Sequence, residues 1–145
     1  MMSPKRLTRE LAARLDGPHS AEHTIAAADL ASEAIRYLNY ATGSHRDAGL
    51  EYPADPYSVI ASLSRAAWFT PQLLSQLDNW LAAQLAAGLV GVDDGTDPAA
   101  PLAKASAQLK IAQAHALNLA EALDGAQTAL AYVNGHGPNR AERAA

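Results

Sequence analysis

Cysteine is absent from the 145 residues, which excludes disulfide scaffolds, thiolate metal sites, iron–sulfur clusters and cysteine nucleophiles. β-Branched apolar residues are scarce. Only 4 Val and 4 Ile stand against 34 Ala and 19 Leu, so the apolar content favours helices over strands. No apolar run approaches the roughly 18 residues of a membrane span. The opening MMSPKRLTRELAARLDG interleaves charge with leucine where a secretory signal would need a continuous apolar stretch. With a net charge of −4, these absences predict an all-α, cytoplasmic protein with no membrane segment, long enough to bury a core of its own.

A capping residue followed by proline recurs at Ser3-Pro4, Asp55-Pro56, Thr70-Pro71 and Asp97-Pro98. Each cap can accept from a free first-turn N–H, and proline at the first helical position forfeits no hydrogen bond. A fifth helix start lies near Gly17-Pro18-His19-Ser20, and glycines at 17, 43, 88, 91 and 135 fall just past apolar-periodic runs. The spacing predicts an antiparallel helical bundle of four main helices plus a short N-terminal one, with the long C-terminal helix as its spine. Its divisions are an N-terminal amphipathic helix over residues 1–17, the bundle over 18–135 and a disordered tail over 136–145.

The C-terminal segment fits a seven-residue frame with Leu102, Leu109, Ala116, Leu123 and Leu130 on one line and Ala105, Ala112, Leu119, Ala126 and Val133 on the other. Such a seam must be covered by another helix. The preceding segment keeps a matching frame through Ile60, Ala67, Leu74, Leu81 and Gly88, with Leu63, Thr70, Leu77 and Gln84 beside it. That frame crosses Pro71 and admits either two helices broken at Trp68-Phe69-Thr70 or one helix kinked at the proline; the break is the reading adopted. Gly125 inside the last helix calls for a packing reason or a bend. Upstream, Ile25, Ala28, Ala31, Ile35 and Leu38 mark another helix.

Candidate chemistry is sparse. His19-Ser20-Ala21-Glu22-His23 matches the H-x-x-E-H ligand order of inverzincin metalloproteases. Ser20 as helix cap would place His19 off the helix, and no third ligand is placed by the sequence. A solvated helix start is therefore expected there. Asp93, Asp94 and Asp97 around Gly95 suit calcium chemically but lack the alternation and terminal glutamate of an EF-hand loop, so a polar turn is expected. Neither metal nor other cofactor is expected, and no catalytic residues are assigned.

The stretch LSRAAWFTPQLLSQLDNWLAAQLAAGLVGVDDG resembles the helix, turn, helix and wing start of winged-helix regulators. Its charge argues otherwise. No Lys or Arg occurs between Arg65 and Lys104, leaving nothing cationic for phosphate and no arginine for a guanine edge. Specific nucleic-acid binding is not expected. The alternatives to an interaction protein are a DNA-associated regulator, using this centre or the basic first helix (Lys5, Arg6, Arg9, Arg14), and a bundle binding a small ligand or metal.

Seven of the eight aromatic residues lie between positions 37 and 80. Among them Tyr37, Tyr40, Trp68 and Trp80 are candidates for a partner surface, together with Ile111 and Leu117, the large apolar residues outside the C-terminal seam. The pieces RYLN, PQLL and the Asp-Pro-initiated last helix, within residues 35–133, resemble a group of small Ala-rich actinobacterial proteins encoded on plasmid-like or integrative elements. That resemblance implies a helical bundle from mobile-element biology and carries no active site. The expected function is that of a non-enzymatic interaction or assembly protein, self-associating or paired with another helical protein.

Overall fold

The computed structural model describes residues 19–43 and 49–134, which form three helices and no strand. They fall into two units that meet in sequence at Gly49 and Leu50. The expected helix at residues 1–17, the Ser3-Pro4 start and the tail at 136–145 lie outside the described residues.

In the first unit, helix α1 spans Ala21–Ala41. Ser20 caps it in extended conformation, its hydroxyl accepting from the His23 N–H at 3.2 Å. At the other end Thr42 returns both its N–H and its hydroxyl to the Leu38 carbonyl, at 2.9 and 2.8 Å. No residue of α1 is buried.

The second unit is a helical hairpin of α2, Ala54–Ala86, and α3, Ala99–Leu130. Helix α2 runs unbroken through Pro71, so the expected break at Trp68-Phe69-Thr70 does not form. Thr70 is no cap; its hydroxyl bonds the Ala66 carbonyl at 2.8 Å inside the helix. An interior proline costs about 3 kcal/mol. A break would cost more, because the packing line Ile60, Ala67, Leu74, Leu81 continues straight across it and both halves lie against α3. Two of the four expected main helices are thereby one, and the described residues hold three helices, one in the first unit and two in the second, in place of the expected four-helix bundle.

Asp55 also lies one step inside its helix instead of capping it. Its Oδ2 reaches back to accept from the N–H groups of Glu51 at 2.7 Å and Tyr52 at 2.9 Å, which holds its carboxyl below the usual carboxylate range. Helix α2 ends in a Schellman turn. Gly88 takes φ +70°, with the Leu89 N–H on the Gln84 carbonyl and the Gly88 N–H on that of Leu85, both at 3.0 Å. Asp97 opens α3 by accepting from the Ala99 N–H at 2.9 Å. Gly125 sits in open space, with nothing within 4 Å of where a Cβ would be, so the anticipated packing reason is absent.

Between α2 and α3 one packing line follows the sequence frame: Ile60, Ala67, Leu74 and Leu81 against Leu102, Leu109, Ala116, Leu123 and Leu130, all buried or half-buried. The second line differs. Ser64, Pro71, Asp78 and Leu85 turn inward on α2, and Ser106, Gln113, Ala120 and Gln127 on α3, while of the expected line Leu63, Thr70, Gln84, Ala105 and Ala112 stay half-buried and Leu77, Leu119, Ala126 and Val133 are exposed. Each helix is rotated by about half a residue step, roughly 50°, relative to the all-apolar seam.

Three side-chain bonds account for the rotation. The Ser106 hydroxyl donates to Asp78 Oδ2 at 2.9 Å, the Ser64 hydroxyl to Asp124 Oδ1, and the Trp68 indole to Asp124 Oδ2 at 2.9 Å. These bonds also fix the register, which sets Ala67 level with Ala120 and Pro71 level with Ala116. The only buried residues of the hairpin are small: Ser64, Ala67, Ala116 and Ala120. Small side chains at the crossing let the two backbones approach closely. They also leave the hairpin without a single fully buried large side chain.

Candidate interaction face

The hairpin has two unlike sides. Asp124 bonds Ser64 and Trp68, so those three residues mark one side. Leu117 precedes Asp124 by seven residues and shares its helix position, as does Lys110 at twice that distance. Leu77, nine residues after Trp68, is half a turn round α2 from it, and Leu119 is about 140° round α3 from Asp124, at roughly 100° per residue. The second side is therefore built from Leu63, Ala66, Thr70, Leu73, Leu77, Trp80 and Gln84 of α2 with Ala105, Gln108, Ala112, Leu119 and Ala126 of α3.

From Leu63 to Gln84 and from Ala105 to Ala126 that second side is mainly apolar and carries no formal charge. Leu73, Leu77, Trp80 and Leu119 are 53, 46, 60 and 53% exposed. Of the charged residues of the two helices, Arg65, Asp78, Lys104, Lys110, Glu121 and Asp124 fall elsewhere by helical position, while Asp55, on the line of Leu73, lies at the first turn of α2 with its carboxylate turned back to the Glu51 and Tyr52 N–H groups. His115 is the one titratable residue on its margin. Its two halves also differ in bulk, large side chains lining the α2 half and mostly alanines the α3 half.

Of the six residues singled out from sequence, the four in the hairpin do not come together. Trp80 lies on the apolar side; Trp68 and Leu117 share the opposite side, and Ile111 points away from the hairpin seam altogether. Tyr37 and Tyr40 are exposed on α1, in the other unit. Leu73, Leu77 and Leu119 were missed as surface residues because the apolar seven-residue frame assigns Leu77 and Leu119 to the core. The available signal was polar: Ser64, Asp78, Ser106 and Asp124 recur at helical spacing along a competing line.

The other candidate chemistries resolve into local structure. Ser20 caps α1 and its hydroxyl lies 3.0 Å from His23 Nδ1, leaving His19 ahead of the helix. No three potential metal ligands cluster among the described residues. In the acidic loop, Asp94 Oδ1 accepts from the Thr96 hydroxyl at 2.7 Å and the Thr96 N–H at 3.0 Å, which lower its pKa, while Gly95 turns the chain at φ +76°. The winged-helix-like stretch is one continuous helix up to Ala86, followed by a turn without strand pairing. Beside it, Val90, Val92, Pro98, Pro101 and Leu102 line a shallow open depression of about 380 Å³.

Fold and surface define a helical hairpin with one open apolar face. No family model, curated protein or solved structure matches the chain. No helix among the described residues is long and apolar enough to cross a membrane.

Proposed function

We propose that this chain is a non-enzymatic association module, a helical hairpin that completes its core against another protein surface. The accessory role in a mobile element that its resemblance implies, and a cytoplasmic setting, belong to the same reading. The observation that carries it is the charge-free face of Leu73, Leu77, Trp80 and Leu119, each about half exposed, on a hairpin whose own buried residues are all small.

Two helices in contact bury too little to offset chain entropy when no large side chain between them is fully buried. An exposed apolar face of this extent on a monomer marks an interaction site. The polar groups between the helices favour a structural role as well, because Ser64, Trp68, Asp78, Ser106 and Asp124 bond one another. A face without Lys or Arg suits a protein surface and offers nothing to phosphates.

The test is capture from cells of the source with the chain as bait, beside a Leu77→Glu/Leu119→Glu bait. A protein retained only by the unaltered face, either a helical partner or the chain itself, is purified and recombined with it. Stoichiometric recombination supports the reading. Identical retention by both baits, or failure to recombine, refutes it.

A further inference from the structure

Resting on that reading, we infer that the apolar face is occupied by a second copy of this chain. The two copies pair face to face about a two-fold axis parallel to the helices, so that α2 of each lies over α3 of the other. Three features of the face lead there.

Its size is within the range of a specific dimer. The face from Leu63 to Gln84 beside that from Ala105 to Ala126, at 1.5 Å per residue and two helices wide, presents roughly 33 Å by 20 Å, or about 1,300 Å² for the two copies together, against about 1,200–2,000 Å² in specific interfaces. Its charge is also compatible with self-pairing, since from Leu63 to Gln84 and from Ala105 to Ala126 this side is free of Asp, Glu, Lys and Arg and meets its own copy without like-charge repulsion.

Its shape discriminates between the possible symmetries. The register fixed by Ser64 with Asp124 and Asp78 with Ser106 allows the levels across the face to be read off. An axis parallel to the helices keeps those levels and exchanges the halves, bringing Trp80 over Ala105, Leu73 over Ala112 and Leu119 over Ala66 of the other copy. Large meets small along the length. An axis in the plane of the face but perpendicular to the helices would instead stack α2 on α2, leucine against leucine, and alanine lines on alanine lines. Only the first arrangement interdigitates as packed interiors do. The product is a four-helix bundle in which every adjacent pair is antiparallel, the stable architecture for such helices.

The experiment uses the full chain, which contains no cysteine of its own. Size-exclusion chromatography with light scattering should give twice the chain mass for the unaltered protein and for Leu117→Glu, whose site lies on the other side. Leu77→Glu should halve the mass, or weaken dimerisation at least about a hundredfold, by placing a carboxylate in the apolar contact. Should Leu77→Glu fail to fold, mixed Ala66→Cys and Leu119→Cys chains supply the second reading. These positions are level across the proposed interface, so mild oxidation should favour the 66-to-119 disulfide between chains over the 66-to-66 and 119-to-119 products. A monomeric unaltered protein at about 100 μM would overturn the inference while leaving association with a different partner intact. Loss of the dimer in Leu117→Glu but not Leu77→Glu, or a preference for the 66-to-66 product, would also overturn it.

Discussion

The Trp68 indole donates to Asp124 Oδ2 at 2.9 Å across 56 residues of chain, and the Ser64 hydroxyl bonds the other oxygen of the same carboxylate. One acidic side chain thus ties two successive turns of α2 to a single position on α3. The bonds, Ser64 first and Trp68 second, hold the Asp124 carboxyl below the usual carboxylate range.

A pH dependence follows from that direction. A lowered pKa in the folded state contributes stability that is complete above the ordinary carboxylate value of about 4 and is lost as the pH falls through the folded value. Asp55 and Asp94 are lowered as well, by bonds from Glu51 and Tyr52 and from Thr96. Melting temperatures should therefore be flat near neutrality and fall below about pH 4. Asp124→Asn should flatten the acid limb, and Asp124→Ala should lower the melting temperature at pH 7 and change the Trp68 fluorescence.

Pro71 stands inside a helix where its missing N–H leaves the Ala67 carbonyl without its helical donor. Pro71→Ala should stabilise the hairpin by on the order of 1–2 kcal/mol, the interior penalty of about 3 kcal/mol less the packing of a half-buried ring. Urea denaturation measures it, and a destabilised variant would mean that the ring's contacts with α3 outweigh the helix penalty.

Ala120 is completely inaccessible to solvent at the level where α2 presents Ala67. Ala120→Leu has no room without separating the helices, and should destabilise by about 1–3 kcal/mol. The same substitution at the exposed Ala122 should change stability by less than about 0.5 kcal/mol.

Two glycines should respond in opposite directions. Gly88 adopts φ +70°, so Gly88→Ala should cost about 1–2 kcal/mol although no atom obstructs the added methyl group. Gly125 is helical and unobstructed, so Gly125→Ala should gain about 0.5–1 kcal/mol. Thermal melts of the two variants beside the parent protein decide both.

Much of the hairpin is legible in local chemistry. The alanine and leucine content specifies helix, Ser20 serves as the cap its type and spacing suggest, Asp97 accepts from the Ala99 N–H from one residue ahead of the Pro98 cap position, and Gly88 ends α2 because it alone takes the left-handed turn without a Cβ penalty. The packing line through Ile60, Ala67, Leu74 and Leu81, and its counterpart through Leu102, Leu109, Ala116, Leu123 and Leu130, is equally a property of the seven-residue spacing.

What spacing could not decide is which neighbouring line completes the seam, because on helices this rich in alanine two adjacent lines offer similar apolar area. The line of Leu77 and Leu119 would bury more carbon. The line of Ser64, Asp78, Ser106 and Ala120 instead allows closer backbones and satisfies Asp78 and Asp124 with partners 28 to 60 residues away. Such bonds exist only once the helices meet. The same long-range packing carries α2 through Pro71, where local preference alone would end a helix. The sequence by itself determined the helical character, the Ser20 cap, the Gly88 stop and one packing line; tertiary contact determined the passage of α2 through Pro71, the rotation of the helices, and with it which leucines face outward.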